Sequence, residues 1–405
     1  MPSSKYPMIP VEEAQQRIFE RTRPLEPVRM RFDKALGFVL AEDVHAAENM
    51  PPFAASAKDG FAVVAGDTVR ERRLVGEQMA GTMDGPHVEP GTVVRITTGA
   101  PVPPGADAVV MVERTEERNG RVIIHQEDIE PGADIRPPGQ DIKRGQLVLK
   151  RGTRLGPAEI GLLATVGQTT AKVYRKPAVA VISTGDELVE PTQPPGPGQI
   201  RDSNRYTLAA AVAEAGGTPN VIGLGRDVET TLEELILQGL EKADALVTSG
   251  GVSMGDKDLV KPLLEKLGTV HFGRVCTKPG KPVTFATVYG KPVFAMPGFP
   301  VSSLVSFEVF VRPALRKMQG CVQVFRPERK VILEQDVSHS AARTEFQRAI
   351  VTDRDGQLYA ATTGFQGSGR LLSMVGANAL LRLPYGEGDF KQGDVVTALV
   401  IGDIH

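Results

Sequence analysis

The sequence predicts a multidomain α/β plus β protein, with a doubly wound α/β domain, an inserted β domain and a C-terminal β-barrel-like domain. Strand-like and helix-like segments alternate after Pro177, which is typical of a parallel sheet covered by helices on both faces. Short apolar runs punctuated by Gly and Pro fill residues 48–144, and similar runs return after Arg326. The 43 Gly and 31 Pro residues indicate many tight turns, and 41% hydrophobic residues are enough for a globular core.

Local patterns predict the elements in chain order. Apolar residues recur on one face of a helix over residues 10–20, and a second helix over residues 157–166 has Pro at its start and Gly just beyond its end. Residues 93–96 and 109–112 are strand-like runs of the inserted β domain. The predicted strands of the α/β domain are residues 178–182, 220–224, 245–248 and 292–295.

Helices are predicted between those strands, over residues 206–215 and 259–267, with another beginning at Thr230. Thr230 is the predicted N-cap of that helix, and Glu233 completes a capping box in front of an apolar stripe. The predicted elements of the C-terminal β domain are strands at residues 330–334, 380–383 and 395–400 and a hairpin around Asp355-Gly356.

Composition and charge exclude several classes of protein. The chain has 47 Lys and Arg against 49 Asp and Glu and no long basic run, so nucleic acid is not an expected partner. Cys276 and Cys321 are the only cysteines, too few for a disulfide framework or a structural zinc site. The sequence contains neither an uninterrupted membrane span nor a basic-then-apolar leader, so we expect a cytoplasmic protein that does not contact membranes.

The loop over residues 249–258, which follows the third predicted strand, is the strongest candidate binding element. Ligands bind at the carboxyl ends of the strands in an open α/β sheet. Gly250 and Gly251 allow the backbone to approach a ligand, and N–H groups preceding a helix suit an anion such as phosphate. The alternative is a tight turn with no ligand. Ser253 lies in a Gly-x-Ser-x-Gly string, but no His is evidently placed to activate it, which favours a ligand-shaping loop over a serine nucleophile.

Acidic residues follow the same strand ends. Asp186 and Glu187 come after the first strand, Asp227 comes after the second, and Asp256 and Asp258 lie in the third loop. A hard cation relieves repulsion among carboxylates at one edge, so we predict Mg²⁺ binding by at least two of them. Taken alone, any one of these residues is more often a helix N-cap or a turn residue than a metal ligand.

Two lysines lie in a proline-stiffened turn. Lys278 and Lys281 belong to the sequence Lys-Pro-Gly-Lys-Pro, and Arg274 lies just upstream. Lysines on a stiff turn lose little freedom when they bind an anion, whereas the alternative is a solvated hairpin turn. With the carboxylates and Mg²⁺, they predict a site for a phosphate ester, a pyrophosphate or an oxyanion. Cys276 has no evident base and is interpreted as a packed residue.

Short motifs follow one another along nearly the whole chain. They are residues 56–62 (SAKDGFA), 97–101 (TTGAP), 139–142 (GQDI), 183–188 (STGDEL), 202–204 (DSN), 249–258 (SGGVSMGDKD), 278–282 (KPGKP), 297–300 (PGFP) and 366–369 (QGSG). In this order the motifs resemble the MoeA family of molybdopterin molybdenumtransferases, whose eukaryotic relative is the E domain of gephyrin.

The resemblance implies a reaction and an assembly. Enzymes of this family take adenylylated molybdopterin, bind molybdate, release AMP and leave molybdenum on the pterin dithiolene, with Mg²⁺ assisting. They are homodimers in which the inserted β domain of one subunit reaches the α/β domain of the other, and that α/β domain resembles the adenylyltransferase partner. The implied parts are residues 1–46 with 145–176 (dimerisation), 47–144 (inserted β), 177–325 (molybdopterin-binding α/β) and 326–405 (C-terminal β). Contacts with the molybdopterin adenylyltransferase and with acceptor molybdoenzymes are also expected.

Position by position, the resemblance assigns a role to each matching residue. Catalytic roles are expected for Asp186, Glu187, Asp258, Lys278 and Lys281, and metal binding for Asp186, Glu187, Asp227 and Asp258. Substrate binding is expected for Asp59, Thr98, Asp141, Gly250, Gly251, Ser253, Arg274, Pro297, Pro300 and Ser368. Of these, Asp59, Thr98 and Asp141 would close the site from the second subunit.

Two positions depart from the family pattern. Phe299 stands where the family often has Asn, so side chain 299 is not expected to make a polar ligand contact, although Pro297 and Pro300 still shape the turn. Arg274 stands where Lys is common, and it keeps the charge while adding planar oxyanion recognition. Neither change removes an acidic or Gly-rich group of the expected site.

Two other functions remain open at this stage. An adenylyltransferase or a nucleotide pyrophosphohydrolase could use the α/β domain alone, but an adenylyltransferase needs no inserted module carrying Asp59 and Asp141. A binding or scaffold protein could keep the fold and lose turnover. The acidic residues that follow the predicted strands argue against that loss.

Overall fold

The computed structural model describes residues 5–252 and 259–404. In its first part, segments from both sides of the insertion meet. Strand Thr170–Tyr174 lies between Pro27–Arg31 and Val39–Leu40 in an antiparallel sheet, and Val44–His45 pairs with Leu147–Leu149. Apolar residues of these segments form one buried core, together with helix Pro157–Thr165.

The first helix packs on a different part of the chain. Helix Val11–Arg21 buries Val11, Ala14 and Ile18 in the core of the α/β domain rather than in the sheet that follows it. Pro10 is the residue before its first turn. This placement ties the start of the chain to the domain that carries the candidate site.

The inserted β domain is a six-stranded sheet with apolar residues on both faces. In spatial order its strands are Ala108–Met111, Gly60–Val63, Thr92–Ile96, Glu71–Gln78, Arg121–Ile124 and Thr115–Arg118. Beside it, Ala55–Ser56 pairs with Ile135–Arg136. The short 3-10 helices in these two parts are Phe32–Lys34 and Val112–Arg114.

Arg72 is a buried cation in this domain, with a side chain 2% exposed. Its guanidinium donates hydrogen bonds to the carbonyl oxygens of Val64, Val69 and Asp67 and lies 3.2 Å from the Asp67 carboxylate. Arg72→Ala removes every one of these donors and leaves the carboxylate buried. We therefore expect the free energy of unfolding of the domain to fall by about 3–5 kcal/mol, measured by native-state hydrogen exchange. The neighbouring exposed Arg73→Ala is the control, and equal protection in both variants would contradict the expectation.

The α/β domain is a six-stranded sheet whose first four strands in spatial order run parallel. In spatial order its strands are Thr218–Gly225, Ala178–Thr184, Ala245–Ser249, Lys291–Met296, Thr284–Val288 and Thr269–Phe272. Val179 and Val181 pack into the core on one face, whereas Ala180 and Ile182 pack into the core on the other. Burial on both faces explains why the sequence of this strand is continuously apolar rather than alternating.

Helices cover both faces of this sheet. They are Asn204–Glu214, Glu229–Lys242, Val260–Leu267, Pro300–Ser306 and Arg312–Met318, with the π-helical segment Phe307–Val311 between the last two. A small parallel pair, Leu188–Val189 with Ile200–Arg201, projects beyond the sheet. The predicted strands and helices of this domain are present, with ends that differ by a few residues.

The predicted capping box at Thr230 is wrong. The helix begins at Glu229, its N-cap is Val228, and no side chain caps it. Glu233 instead pairs with Lys266 of the neighbouring helix at 2.6 Å. The tertiary ion pair takes the carboxylate that the local motif would have used.

The C-terminal β domain is a closed five-stranded barrel. In spatial order its strands are Thr344–Arg354, Gln357–Thr362, Glu328–Leu333, Val395–Val400 and Ala379–Leu383. The last of these pairs with the first, which closes the barrel. The predicted hairpin turns at Asp355-Gly356, where both residues have positive φ. The 3-10 helix Leu371–Met374 lies in the connection after Thr362. The predicted fold class is therefore confirmed.

One further strand joins the two last parts of the chain. Thr277–Lys278 pairs in parallel with the start of Thr344–Arg354, so the lysine turn is an extension of the barrel sheet rather than a free hairpin. Among the described residues, no helix combines the length and the apolar character that crossing a membrane would require.

Candidate functional site

The candidate site lies at the carboxyl ends of the parallel strands. Ala178–Thr184 lies between Thr218–Gly225 and Ala245–Ser249, so the order of the strands reverses at this point. Such a reversal opens a crevice outside the strand ends, the usual ligand position in an open α/β sheet. A cavity of about 1010 Å³ occupies this crevice. That volume is enough for a ligand of nucleotide size or larger.

Gly250 and Gly251 form the floor of the cavity. Both have positive φ, 96° and 65°. A Cβ atom would lie 2.3 Å from the Thr184 carbonyl oxygen at the first position and 2.5 Å from the Val260 side chain at the second. Packing against the sheet and the next helix therefore requires glycine at both positions. Ser253 and Asp258, which complete the predicted loop, lie outside the described residues.

Three predicted acidic residues meet at one edge of the cavity. Glu187 and Asp227 line it, and the backbone N–H of Asp227 donates to Asp186 Oδ1 at 3.2 Å. Asp186 and Glu187 are exposed to solvent. Among the described residues, no group of three or more His, Cys, Asp or Glu side chains is close enough to hold a metal. An all-oxygen set of one or two carboxylates nevertheless fits Mg²⁺, which keeps several of its waters when bound.

The same cavity has a basic wall. Lys278, Lys281 and Arg343 line the cavity. Lys278 Nζ lies 3.0 Å from Glu345 Oε1, and the side chain of Glu345 is only 3% exposed. Arg343 donates to the Thr277 carbonyl oxygen at 3.4 Å. Gly280 packs so closely on Ser306 that a Cβ there would lie 2.3 Å from its hydroxyl oxygen, which holds the turn against the helix behind it.

Two residues that line the cavity have buried polar atoms without partners in the described part of the chain. Asn204 donates through Nδ2 to Ser249 Oγ at 2.7 Å and to the Gly298 carbonyl oxygen at 2.6 Å, but its Oδ1 has no partner among the described residues. The Thr184 hydroxyl is likewise buried without a partner in the described part of the chain. Thr184 and Asn204 both line the cavity. Because buried polar atoms are nearly always paired, these two suit the polar edge of a ligand.

The third wall joins the α/β domain to the barrel. Pro297 and Pro300 line the cavity, and so does Ser368 from the C-terminal domain. The carbonyl oxygen of Ser368 accepts a hydrogen bond of 3.0 Å from the backbone N–H of Val301. The connection after Thr362 is therefore attached to the start of helix Pro300–Ser306.

Phe299 lies on this wall with 64% of its surface exposed. An exposed ring at a cavity wall offers stacking area to a planar ligand group in place of the amide that Asn would provide. AMP, an anion with a planar base, serves as a probe, and we expect Phe299→Asn to weaken its binding by about tenfold, the effect of losing one stacking contact with an aromatic ring. Isothermal titration with AMP measures this effect. Phe299→Tyr is the matched control that keeps the ring, and equal loss in both variants would contradict stacking.

Other predicted residues lie away from the cavity. Arg274 does not line it. Asp59, Thr98 and Asp141 belong to the inserted β domain, where all three are exposed. Asp59 Oδ1 accepts hydrogen bonds from the Thr98 backbone N–H at 2.7 Å and the Thr98 hydroxyl at 3.1 Å, and these bonds lower the pKa of Asp59.

Asp141 lies at the same end of the inserted domain. It forms an ion pair with Arg136, whose strand pairs with Ala55–Ser56. The carbonyl oxygen of Ser56 accepts a hydrogen bond of 2.8 Å from the Gly99 N–H, next to Thr98. The structure thus brings Asp141 and the Asp59–Thr98 pair to one surface, separate from the cavity of the same chain.

Sequence reasoning missed several residues of the cavity. Asn204 lies in the DSN motif, which carried the resemblance but received no role. Arg343 and Glu345 had no signal, because neither residue belongs to any of the motifs in the sequence. Their placement depends on the pairing of Thr277–Lys278 with Thr344–Arg354.

The fold and the cavity together define a multidomain α/β protein with a large site suited to an anionic ligand. Three family models match the chain: "MoeA N-terminal region (domain I and II)" over residues 9–167, "Probable molybdopterin binding domain" over residues 180–317, and "MoeA C-terminal region (domain IV)" over residues 330–401. The chain belongs to the MoeA family of molybdopterin molybdenumtransferases.

Curated relatives cover the whole chain. The chain is 34% identical to the molybdopterin molybdenumtransferase of Haemophilus influenzae, over 96% of this chain and 98% of that protein. It is 35% identical to that of Bacillus subtilis, over 97% and 94% of the two chains. It is 39% identical to gephyrin of Dictyostelium discoideum over 99% of its own length, but spans only 63% of that longer protein.

A solved structure has the same fold. The molybdopterin biosynthesis MoeA protein from Pyrococcus horikosii superimposes with a TM-score of 0.85 at 32% identity. The match covers 98% of this chain and 100% of that one.

Proposed function

We propose that this chain inserts molybdenum from molybdate into adenylylated molybdopterin and releases AMP, as a step of molybdenum cofactor biosynthesis. The observation that carries the proposal is the cavity at the strand ends, which is lined by the carboxylates of Glu187 and Asp227 and by the cations Lys278, Lys281 and Arg343. Both substrates are anions, and a basic wall binds anions. The names of the bacterial relatives support the same reaction.

The basic wall supplies the electrostatic part of the chemistry. Breaking the phosphoanhydride between the pterin phosphate and AMP concentrates negative charge on the phosphate that leaves. Lys278 and Lys281 are held on a turn that packs against Ser306 and the barrel, so their charges are in place before the bond breaks. Such preorganised charges lower the barrier without reorganising during the reaction.

The acidic edge is proposed to bind Mg²⁺. One or two of the carboxylates Asp186, Glu187 and Asp227 would hold the ion together with waters, and Asp258 is proposed as a further ligand. When bound, Mg²⁺ would neutralise charge on the phosphoanhydride oxygens. The three described carboxylates would otherwise repel the same substrate, so the ion also makes this edge compatible with it.

Removing one carboxylate should therefore change the metal requirement. We expect Glu187→Gln to raise the Mg²⁺ concentration that gives half-maximal AMP release by about tenfold or more. The measurement is a Mg²⁺ titration of AMP release at saturating substrate. Glu234→Gln removes the same charge from an exposed helix position and is the control. An unchanged Mg²⁺ requirement in Glu187→Gln would remove this residue from the metal site.

The working enzyme is proposed to be a cytoplasmic homodimer with sites shared between its subunits. Asp59, Thr98 and Asp141 lie on one surface of the inserted β domain, apart from the cavity of their own chain. That placement suits residues that close the cavity of a second copy. The adenylyltransferase that makes the substrate and the molybdoenzymes that accept the product are proposed as further partners.

Release of AMP is the deciding experiment. Purified protein is mixed with adenylylated molybdopterin and Mg²⁺, and AMP is measured with and without molybdate. We expect release only with molybdate. Release that ignores molybdate would identify a pyrophosphohydrolase, and tight binding without release would identify a scaffold protein.

A further inference from the structure

His339 is a buried histidine that neither the motifs nor the proposed reaction use. Its side chain is fully buried in the barrel. Nε2 lies 2.9 Å from the Pro384 carbonyl oxygen, and Nδ1 lies 3.1 Å from Glu345 Oε2. A carbonyl oxygen only accepts hydrogen bonds, so Nε2 carries a hydrogen. A neutral imidazole then has no hydrogen left on Nδ1. The contact with Glu345 therefore requires one more proton, on the ring or on the carboxyl group.

The charges around Glu345 favour the ring as the place for that proton. Lys278 Nζ lies 3.0 Å from the other carboxylate oxygen of Glu345. Arg348 is a second cation close to Glu345. Burial lowers the pKa of Arg348 to about 10, and the negative charge of Glu345 partly offsets that lowering. Both cations stabilise an anionic carboxylate, and imidazole binds a proton more tightly than a carboxylate does in water.

Groups on the neighbouring loop add to this balance. The backbone N–H of His339 donates to Asp389 Oδ1 at 2.7 Å, and the pKa of Asp389 is lowered by this bond first and by nearby charges, among them Lys391 and His339. The anionic Asp389 favours a cationic ring, whereas Lys391 opposes it more weakly because it pairs with Asp336 at 2.8 Å.

We propose that His339 is a positioning residue, protonated on both ring nitrogens, that holds Glu345 and through it the Lys278 ammonium at the cavity wall. This inference rests on the proposed function of the cavity. Glu345 carries one negative charge and lies between two cations, so the row His339, Glu345 and Lys278 keeps one net positive charge. A neutral ring would leave the charge of Glu345 to cancel that of Lys278, and the wall would attract phosphate or molybdate less.

The protonation state can be measured without any substrate. Nitrogen-15 spectra of the labelled imidazoles at pH 7 should show hydrogen on both nitrogens of His339, whose signals are assigned as those missing in His339→Gln. Glu345→Gln is a second variant, in which the same ring should become neutral. A neutral His339 ring in the unaltered protein would overturn the proposal, whatever reaction the enzyme catalyses.

Ligand binding tests the path through Lys278. We expect His339→Gln to weaken AMP binding about tenfold by calorimetry at pH 7, the scale of one charge-assisted contact. The same change made in Lys278→Met should have no further effect, because the lysine through which His339 acts is gone. His271→Gln is the matched control. It is a partly buried histidine, hydrogen-bonded to Thr287 and away from the cavity, and burial lowers its pKa to about 4.

The double variant with Lys278→Met separates positioning from a general loss of structure. If His339→Gln weakens AMP binding equally in the unaltered protein and in Lys278→Met, its role is merely structural and the proposal is overturned. Absence of AMP binding to the unaltered protein would contradict the proposed function instead, and the spectra would still decide the state of the ring.

Discussion

Lys278→Ala should lower molybdate-dependent AMP release by about 100-fold, the loss typical for one preorganised electrostatic contact to a reacting group. The substitution removes a cation from the basic wall. It also leaves Glu345 facing the cavity without its partner at 3.0 Å. The wall keeps Lys281 and Arg343 but attracts the phosphate of AMP less strongly. Initial rates of AMP release at saturating Mg²⁺ and molybdate measure the effect.

Lys391→Ala is the control for this prediction. Lys391 is an exposed lysine of the same barrel, paired with Asp336 at 2.8 Å and away from the cavity. Its removal changes net charge equally and should leave the rate within about twofold, since exposed ion pairs contribute little. A rate for Lys278→Ala close to that of Lys391→Ala would remove Lys278 from the mechanism.

Mixed dimers of Asp59→Ala and Lys278→Ala subunits should recover about half of the normal activity, although either variant alone is nearly inactive. In a mixed dimer with shared sites, one site receives both substitutions and the other receives neither. The intact site combines the inserted domain of the Lys278→Ala subunit with the cavity of the Asp59→Ala subunit. Dimers carrying two different affinity tags are purified, and their AMP release is compared with that of each parent.

The complementation has its own control. Mixed dimers of Lys278→Ala and Lys281→Ala subunits carry both substitutions on the same wall, so every shared site keeps one defect and activity should stay low. Activity in that control equal to the Asp59 and Lys278 mixture would contradict sites shared between subunits. A mass near 43.4 kDa in solution would contradict the dimer itself.

Local sequence patterns were enough to predict the fold class, because each part of the chain has its own hydrophobic periodicity. The strand Ala178–Thr184 is buried on both faces, so its sequence is an unbroken apolar run that periodicity detects directly. The turn at Asp355-Gly356 needs two residues with positive φ, which Asp-Gly supplies. Where a tertiary contact competed, the local prediction failed: Glu233 pairs with Lys266 and does not cap its own helix.

The candidate site divides in the same way. The Gly-rich loop and the acidic residues follow strands of one parallel sheet, and the carboxyl ends of such strands share an edge, so the sequence alone determined that these groups meet. It also determined, through the motifs and their order, the family to which the chain belongs. Only the tertiary structure decided that Glu345 contacts Lys278 and that His339 contacts Glu345. That contact depends on a strand of the α/β domain joining the barrel, and long-range strand pairing has no local pattern from which to predict it.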